Sequence, residues 1–584
     1  MTSSARKGAP KSAALKPTTA VSSAGSTTSH SSASPVRVIF LGGLGEIGRN
    51  CTVVEVEGRL MLIDVGLMFP EDDMPGIDLV LPDFTFLREN ADRIEGAILT
   101  HGHEDHVGGL SYLLRDVSFP LFATQLTLNL ARGRIEEAGL TGRTSFNPVA
   151  DGERRKIGPF DVEFIPVAHS VPDSLGVAFH TPQGVIYHTG DFKLDLTPID
   201  GRITDLARIG AIGKDPGIRL LLSDSTNAES DGHTESEKVI GKNLSNIIRD
   251  NSGKRLIVGC FASHIHRVQQ VIEAGVASGR KVTTLGRSMR RNIQIAREMG
   301  KLTIRDEDLF DIEKLGDHDP SRVLILSTGS QGEPMSALSL MAAGENRFVK
   351  IGPNDTVLLS SHAIPGNETS VGRVIDGLTR LGADVIHSGL AKIHVSGHAK
   401  REELKTLLSV AKPKYFIPIH GEYRHLTHHT RLAMDMGVSP SNILLCEDGD
   451  SVVLTEAGID FGDTVPAGFL YVDGIVGDVG QGVLRDRKVL SNEGVVVVIV
   501  TVDEQGGEIV TGPEIITRGW VYAPEAETLL GEATEVIRKK LLDAMGDGGT
   551  DIESMKRTVR KATGKFVSER TKRRPMIVPV IIEV

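Results

Sequence analysis

The sequence predicts an α/β fold class, and three observations carry that prediction. Strand-length apolar runs recur from Val36 onward, Gly- and Asp-rich turns punctuate them, and stretches with helical spacing separate them. In order, 36–41 reads as a strand, 42–48 as a glycine-rich turn, 50–56 and 59–65 as strands, 66–83 as a loop and 84–93 as a helix. Gly43, Gly45 and Gly48 satisfy the spacing of a dinucleotide-binding fingerprint, but that motif needs a helix where 50–56 reads as a strand. The alternation continues to about Ser223. A second α/β block over 227–383 has helices at 236–250 and 266–277 and strands at 255–259 and 322–326. A third run over 384–470 again carries histidine-rich strand ends. Residues 471–490 read as a linker, and 491–584 as a compact α+β unit with a strand at 495–502, helices at 525–545 and 552–569, and a last strand at 576–584.

At 584 residues the chain exceeds a single core, and a prior of ~150 residues per domain suggests about four units. No apolar run approaches the ~20 residues of a membrane span, so a membrane partner is not expected. Residues 1–34 are mostly Ser, Ala, Thr and Pro, with no acidic residue. They offer too little apolar surface to offset ordering entropy and read as a disordered tail, lacking both a signal peptide's apolar core and a transit peptide's amphipathic Arg pattern. Cys51, Cys260 and Cys446 are far apart and form no CxxC pair, which fits a reducing cytoplasm rather than a disulfide framework. The net charge of −11 excludes a general polyanion-coating surface, though not a local positive groove.

The densest chemistry lies in LTHGHEDHVGG, residues 99–109. It follows the short apolar run Ala97-Ile98-Leu99, at the end of a strand. In an extended chain residues i and i+2 face the same way, so His101 and His103 can grip one metal, while Asp105 and His106 turn toward a second. Imidazole nitrogen and carboxylate oxygen suit Zn²⁺ or Mn²⁺. A lone histidine is more often structural; four candidate ligands at this spacing point to metal.

HGHEDH resembles the HxHxDH motif of the metallo-β-lactamase superfamily. Asp64, ending LMLID, is similar to the aspartate of that superfamily's first motif, which orients the histidine cluster from behind. His169 in VAHSVPDS matches the third motif and Asp191 in HTGDFK the fourth. Further on, LSDSTN with Asp224, IHVSGHA with His398 and PIHGEYRH with His420 resemble motifs A, B and C of the β-CASP nucleases. The longer stretches LGGLGEIGRN, FASHIHR, STGSQGEP, VSGHAKREEL, TRGWVY and RRPMIVPVIIEV are similar, in order, to the ribonuclease J family, and the resemblance spans residues 36–584.

The resemblance implies a metallo-β-lactamase αββα sandwich from 35–226 and 384–470, with an α/β β-CASP domain, 227–383, inserted in it. It implies a C-terminal domain that supports a homodimer or homotetramer. It implies two Zn²⁺ per subunit, with Mn²⁺ a substitute: one held by His101, His103 and His169, the other by Asp105, His106 and His420, both sharing Asp191. The implied activity is 5′→3′ exonuclease and endonuclease action on single-stranded RNA, in RNA maturation and in mRNA and rRNA decay, with RNA-degradation complex components as partners and a cytoplasmic, bacterial location. His398 would protonate the leaving 3′-oxygen, with Asp224 orienting it; Asp105 joins them at the reacting centre. Ser263, His266 and the loop His394, Val395, Ser396, Gly397 and His398 would bind the 5′-phosphate, although Ser263 reads equally as a helix cap. Gly76, Asp78 and Asp473 would form a structural Ca²⁺ site, against the alternative of an ordinary turn. The basic run from Lys556 to Arg574 reads as a solvated helix face. A small-substrate lactamase-fold hydrolase does not require the long inserted domain, and a catalytically silent scaffold is at odds with the intact ligand set.

Overall fold

Alternation of apolar side chains along the strands builds two facing sheets. The computed structural model describes residues 33–584, apart from 72, 334, 365, 475, 504–507, 522–525 and 547–550; the expected tail therefore lies, but for 33 and 34, outside the described residues. The first sheet has eight strands and includes Val36–Gly42, Cys51–Val56, Arg59–Ile63 and Ile94–Ile98. The second has six, including Phe160–Pro166, Gly184–His188, Ile218–Asp224 and Tyr415–Ile419. Phe40, Met61 and Ile63 from the first meet Phe164, Leu220 and Ile417 from the second. Each such buried side chain contributes roughly 1.5–3 kcal/mol. Helices cover both outer faces, through Leu113, Leu114 and Ile135 on one side and Ile209, Leu404 and Leu432 on the other. These are the four layers of an αββα sandwich. The strand Cys51–Val56 stands directly after the glycine-rich turn, which disposes of the dinucleotide fingerprint.

The inserted domain leaves and re-enters between two neighbouring strands. Ile218–Asp224 and Tyr415–Ile419 pair in parallel, with Asp224 opposite Ile419, so about 190 residues loop out and return to the same place. The insertion is a parallel five-stranded sheet in the order Lys281–Leu285, Val323–Ser327, Arg255–Gly259, Asp355–Leu359, Asp384–His387. Leu256 and Val258 pack under Ile265–Ala277 on one face, and Ile257 under Glu368–Arg380 on the other, as expected for a sheet buried on both sides.

Three boundaries need correction. Asp384–His387, assigned above to the second lactamase-like segment, is the edge strand of the inserted sheet. The stretch expected as a linker at 471–490 is regular structure: Phe469–Asp473 is a strand and Gly480–Glu493 a helix. Its strand pairs antiparallel with Leu79–Pro82, inside what reads as a loop. Leu79–Pro82 and Phe469–Asp473 are short strands far apart in sequence, so local patterning could not identify their pairing.

At the C-terminus, Val495–Asp503 pairs with Glu508–Arg518 and Met576–Glu583. Val496, Val498, Val500 and Val502 are buried against Ile537, Leu541, Met555 and Val559 of two long helices. On the opposite face Ile516, Val578 and Ile582 are exposed. The basic run is laced with acids: Lys556 pairs with Glu553, Lys565 with Glu569 and Arg570 with Glu532.

Candidate metal centre

The open ends of both sheets deliver the ligands. The strand Ile94–Ile98 ends just before Thr100, and a one-turn helix, Glu104–Val107, follows His103. The backbone behind it is pressed against the turn after Asp64. A Cβ on Gly66 would lie 1.7 Å from the Asp105 carbonyl oxygen, so only glycine fits there. Asp64, itself at φ 62°, accepts from the Thr100 amide at 2.8 Å, the Thr100 hydroxyl at 2.8 Å and His106 Nδ1 at 2.8 Å. The last bond fixes the His106 tautomer and turns its Nε2 toward the centre.

From the second sheet come His169, Asp191 and His420. His169 Nδ1 donates to the Gly397 carbonyl at 2.8 Å, which aims Nε2 inward. A side chain on Gly397 would strike the His169 ring at 2.6 Å, so the loop needs glycine to reach it. The result is three overlapping groups, two of which match the expected ligand sets. His101, His103, His169 and Asp191 form one, and Asp105, His106, Asp191 and His420 the other; the third joins Asp191 and His420 to Asp224 and His398, and the ligand atoms of each lie within 4.8 Å of one another. Asp191 Oδ2 lies 3.2 Å from His106 Nε2, 3.6 Å from His101 Nε2 and 3.8 Å from His169 Nε2. It is buried and without a hydrogen-bond partner. An orphaned carboxylate oxygen ringed by imidazole nitrogens is a donor set that fits divalent metal.

Electrostatics divide the two groups. Burial, aided by neighbouring histidines, lowers His101 and His169 well below the ordinary value and His103 to about 4. Burial acts on His106 and His420 in the same direction, but Asp191 and Asp105 outweigh it, raising His106 well above its ordinary value and His420 to about 9. Asp191 and Asp105 stay ionised: burial opposes their charge and the histidines overcome it.

Asp224 and His398 meet beside this centre. His398 Nδ1 donates to Asp224 Oδ2 at 2.8 Å and lies 4.0 Å from Asp191 Oδ2. Burial would lower His398; Asp224 and Asp191 hold it above its usual value. The proposed phosphate residues are gathered nearby. Arg267, one residue after His266, donates to the Ile393 carbonyl at 2.9 Å and so ties helix Ile265–Ala277 to the 394–398 loop. His266 and His169 line one cavity, where His266 Nε2 sits 3.2 Å from Asp200. Ser263 does not cap the helix, whose N-cap is His264. Ser396 accepts from Asn227 at 2.8 Å, while burial, then Arg267, lowers His394 to about 3. Val395 packs partly against the core of the inserted domain.

Gly76, Asp78 and Asp473, expected to hold calcium, converge around a guanidinium: Arg487 donates to the Gly76 carbonyl at 2.8 Å and pairs with Asp473. Asp78 accepts from the Gly474 amide at 2.6 Å. Asn50 was also missed; its amide nitrogen lies 3.1 Å from the Asp105 carbonyl oxygen and 3.3 Å from His106 Nε2. The signal was its place directly after the glycine-rich turn.

A two-group metal centre at the edge of an αββα sandwich, faced by an inserted parallel sheet, defines a metallo-β-lactamase-type protein with a β-CASP domain. The sequence comparisons agree: residues 44–229 match the metallo-beta-lactamase superfamily, 253–378 the ribonuclease J beta-CASP domain, 384–443 the Zn-dependent metallo-hydrolase RNA specificity domain and 482–584 the ribonuclease J C-terminal domain. The chain is 42% identical to Ribonuclease J2 of Bacillus subtilis over 94% of its length and 99% of the relative's. It is 43% identical to Ribonuclease J of Mycobacterium tuberculosis (94% and 97% covered) and 43% to that of Thermus thermophilus (94% and 95%). The chain belongs to the ribonuclease J family. A solved protein of unknown function from Enterococcus faecalis shares the fold alone, with TM-score 0.50 and 17% identity over 72% of this chain and 100% of that one.

Proposed function

We propose that this protein is a metal-dependent ribonuclease that degrades single-stranded RNA from 5′-monophosphate ends and also cuts internally, leaving 5′-phosphate and 3′-hydroxyl products. The observation that carries the reading is the Asp224–His398 pair, held 4.0 Å from the carboxylate shared by both ligand groups. When bound, two metal ions, zinc or manganese, supply Lewis acidity toward the phosphate and lower the pKa of a water. His101, His103 and His169 would hold one ion and Asp105, His106 and His420 the other, with Asp191 available to both. His398, whose pKa Asp224 and Asp191 hold above its usual value, donates from Nε2 to the departing 3′-oxygen, and Asp224 fixes its orientation. The 263–266 segment and the 394–398 loop receive the 5′-phosphate.

A cytoplasmic location is supported by Cys51, Cys260 and Cys446, all buried and unpaired. The outward apolar face of the C-terminal sheet suits a second copy of the chain, and RNA-degradation complex components are further partners on the same family grounds. Among the described residues, no helix is long and apolar enough to cross a membrane.

The test is to incubate metal-loaded protein with 5′-monophosphate, 5′-triphosphate and 5′-hydroxyl RNA. Preferential release of mononucleotides from the monophosphate substrate is expected. Equal inertness of all three, with metal occupancy demonstrated, overturns the exonuclease reading.

A further inference from the structure

We propose that Thr226 is a positioning residue through which one carboxylate, Asp224, holds both His398 and His420 in place for the reaction. Asp224 is 1% exposed and uses both oxygens. Oδ2 accepts from His398 Nδ1 at 2.8 Å. Oδ1 accepts from the Thr226 amide at 2.9 Å and lies 2.8 Å from the Thr226 hydroxyl. That hydroxyl is in turn 2.7 Å from His420 Nδ1. The direct separation between Asp224 Oδ1 and His420 Nδ1 is 3.7 Å, too long for a hydrogen bond, so the hydroxyl is the link.

Donor bookkeeping gives the link a direction. An ionised carboxylate only accepts, and the Thr226 hydroxyl carries one proton. The His420 carbonyl is farther away at 3.3 Å and uncharged, and His420 Nδ1 at 2.7 Å is a neutral acceptor only in the tautomer that lacks its proton, so the charged carboxylate takes the hydroxyl proton. The hydroxyl oxygen then accepts from His420 Nδ1–H. With Nδ1–H committed to the hydroxyl, Nε2 is the nitrogen that faces Asp105 Oδ2 at 3.4 Å and Asp191 Oδ1 at 3.5 Å, and it is the one that would turn a lone pair to a metal once its own proton is released.

His420 needs such a tether. It sits at φ 53°, a left-handed conformation that a side-chain-bearing residue keeps only when its surroundings enforce it. The Ser225 amide, 3.2 Å from the His420 carbonyl, holds the backbone; Thr226 holds the ring. Both follow from the parallel pairing of the two strands, which brings residues 194 apart in sequence into contact. One acid thereby orients a proton donor and a metal ligand together.

This role rests on the proposed reading of His420 as a ligand, and metal binding tests the two separately. Full-length, metal-free protein is titrated calorimetrically with Mn²⁺ as wild type, Thr226→Val and Thr226→Ser, with thermal melting alongside. Thr226→Val keeps the shape and removes the hydroxyl; it is expected to weaken the second Mn²⁺ equivalent by about 10–100-fold and to leave the first unchanged. Thr226→Ser is expected to restore it. Wild type binding two equivalents, with Thr226→Val indistinguishable from it or Thr226→Ser as weak as Thr226→Val, overturns this role alone. Equal losses at both equivalents with a lowered melting temperature identify a merely structural residue and also overturn it. A wild type that binds no Mn²⁺ overturns the metal reading and this role with it.

Discussion

The two halves of the candidate metal centre share Asp191 and are built from histidines of nearly equal burial, yet their basicity shifts in opposite directions. His101 is 0% exposed and His106 2%, but burial holds the first well below its ordinary pKa and carboxylates hold the second well above it. The difference is the balance between burial and carboxylates. His101 and His169 face Asp191 amid other imidazoles and His103 faces Asp105 and Asp191, yet burial wins for all three; His106 sees Asp191, Asp105 and Asp64, and His420 sees Asp191, Asp105 and Asp224, so attraction wins. The three-histidine half is therefore ready for metal at neutral pH. The carboxylate-rich half must release protons to take its ion.

Removing what the halves share has the largest expected effect. Asp191→Ala should lose both metals, measured by elemental analysis, and lower RNA turnover by more than about 10³-fold. Retention of one full metal equivalent would break the idea of a common carboxylate. Next comes His398→Ala, which belongs to neither half: both metals stay and single-turnover cleavage falls about 10²–10³-fold. Normal turnover by that variant removes His398 from the mechanism.

The pH dependence of metal affinity sharpens the contrast directly. His420 holds its proton below about 9, and His106 is shifted in the same direction, so a metal must displace protons across the neutral range. The second site should weaken about tenfold per unit of falling pH from about 9 as His420 takes up its proton. The first, with His103 near 4, should stay level across that range. Parallel curves for the two equivalents would contradict the division. The smallest change is Asp64→Ala, expected to weaken the second site about tenfold and spare the first. The effect is modest because the Thr100 hydroxyl remains 3.5 Å from His106 Nδ1 as a weaker partner. Equal weakening of both sites would show that Asp64 supports the strand end rather than His106.

What could be read in the sequence depended on how local each signal was. The alternation of His101 and His103 sits on one strand end, and 255–259 was recognisable as a strand because five consecutive residues define it. Asp224, His398 and His420 were legible only through motif resemblance, since nothing nearby in sequence reveals that they meet. Thr226 and Asn50 went unread because a single hydroxyl or amide has no pattern of its own. The strand Leu79–Pro82 and its partner Phe469–Asp473 escaped for the same reason, each being too short to declare itself without the other. Arg487 filled a place expected to hold calcium because its approach, from a helix expected as a linker, is purely tertiary.

The sequence by itself determined the ligand types, their order and the strand end that carries HGHEDH, because side-chain direction alternates residue by residue along an extended chain. Only the tertiary structure decided which histidines burial makes less basic, which of them carboxylates make more basic, and which hydroxyl joins Asp224 to His420. Those outcomes depend on how many carboxylates strand pairing brings within a few ångströms, and that pairing joins segments hundreds of residues apart.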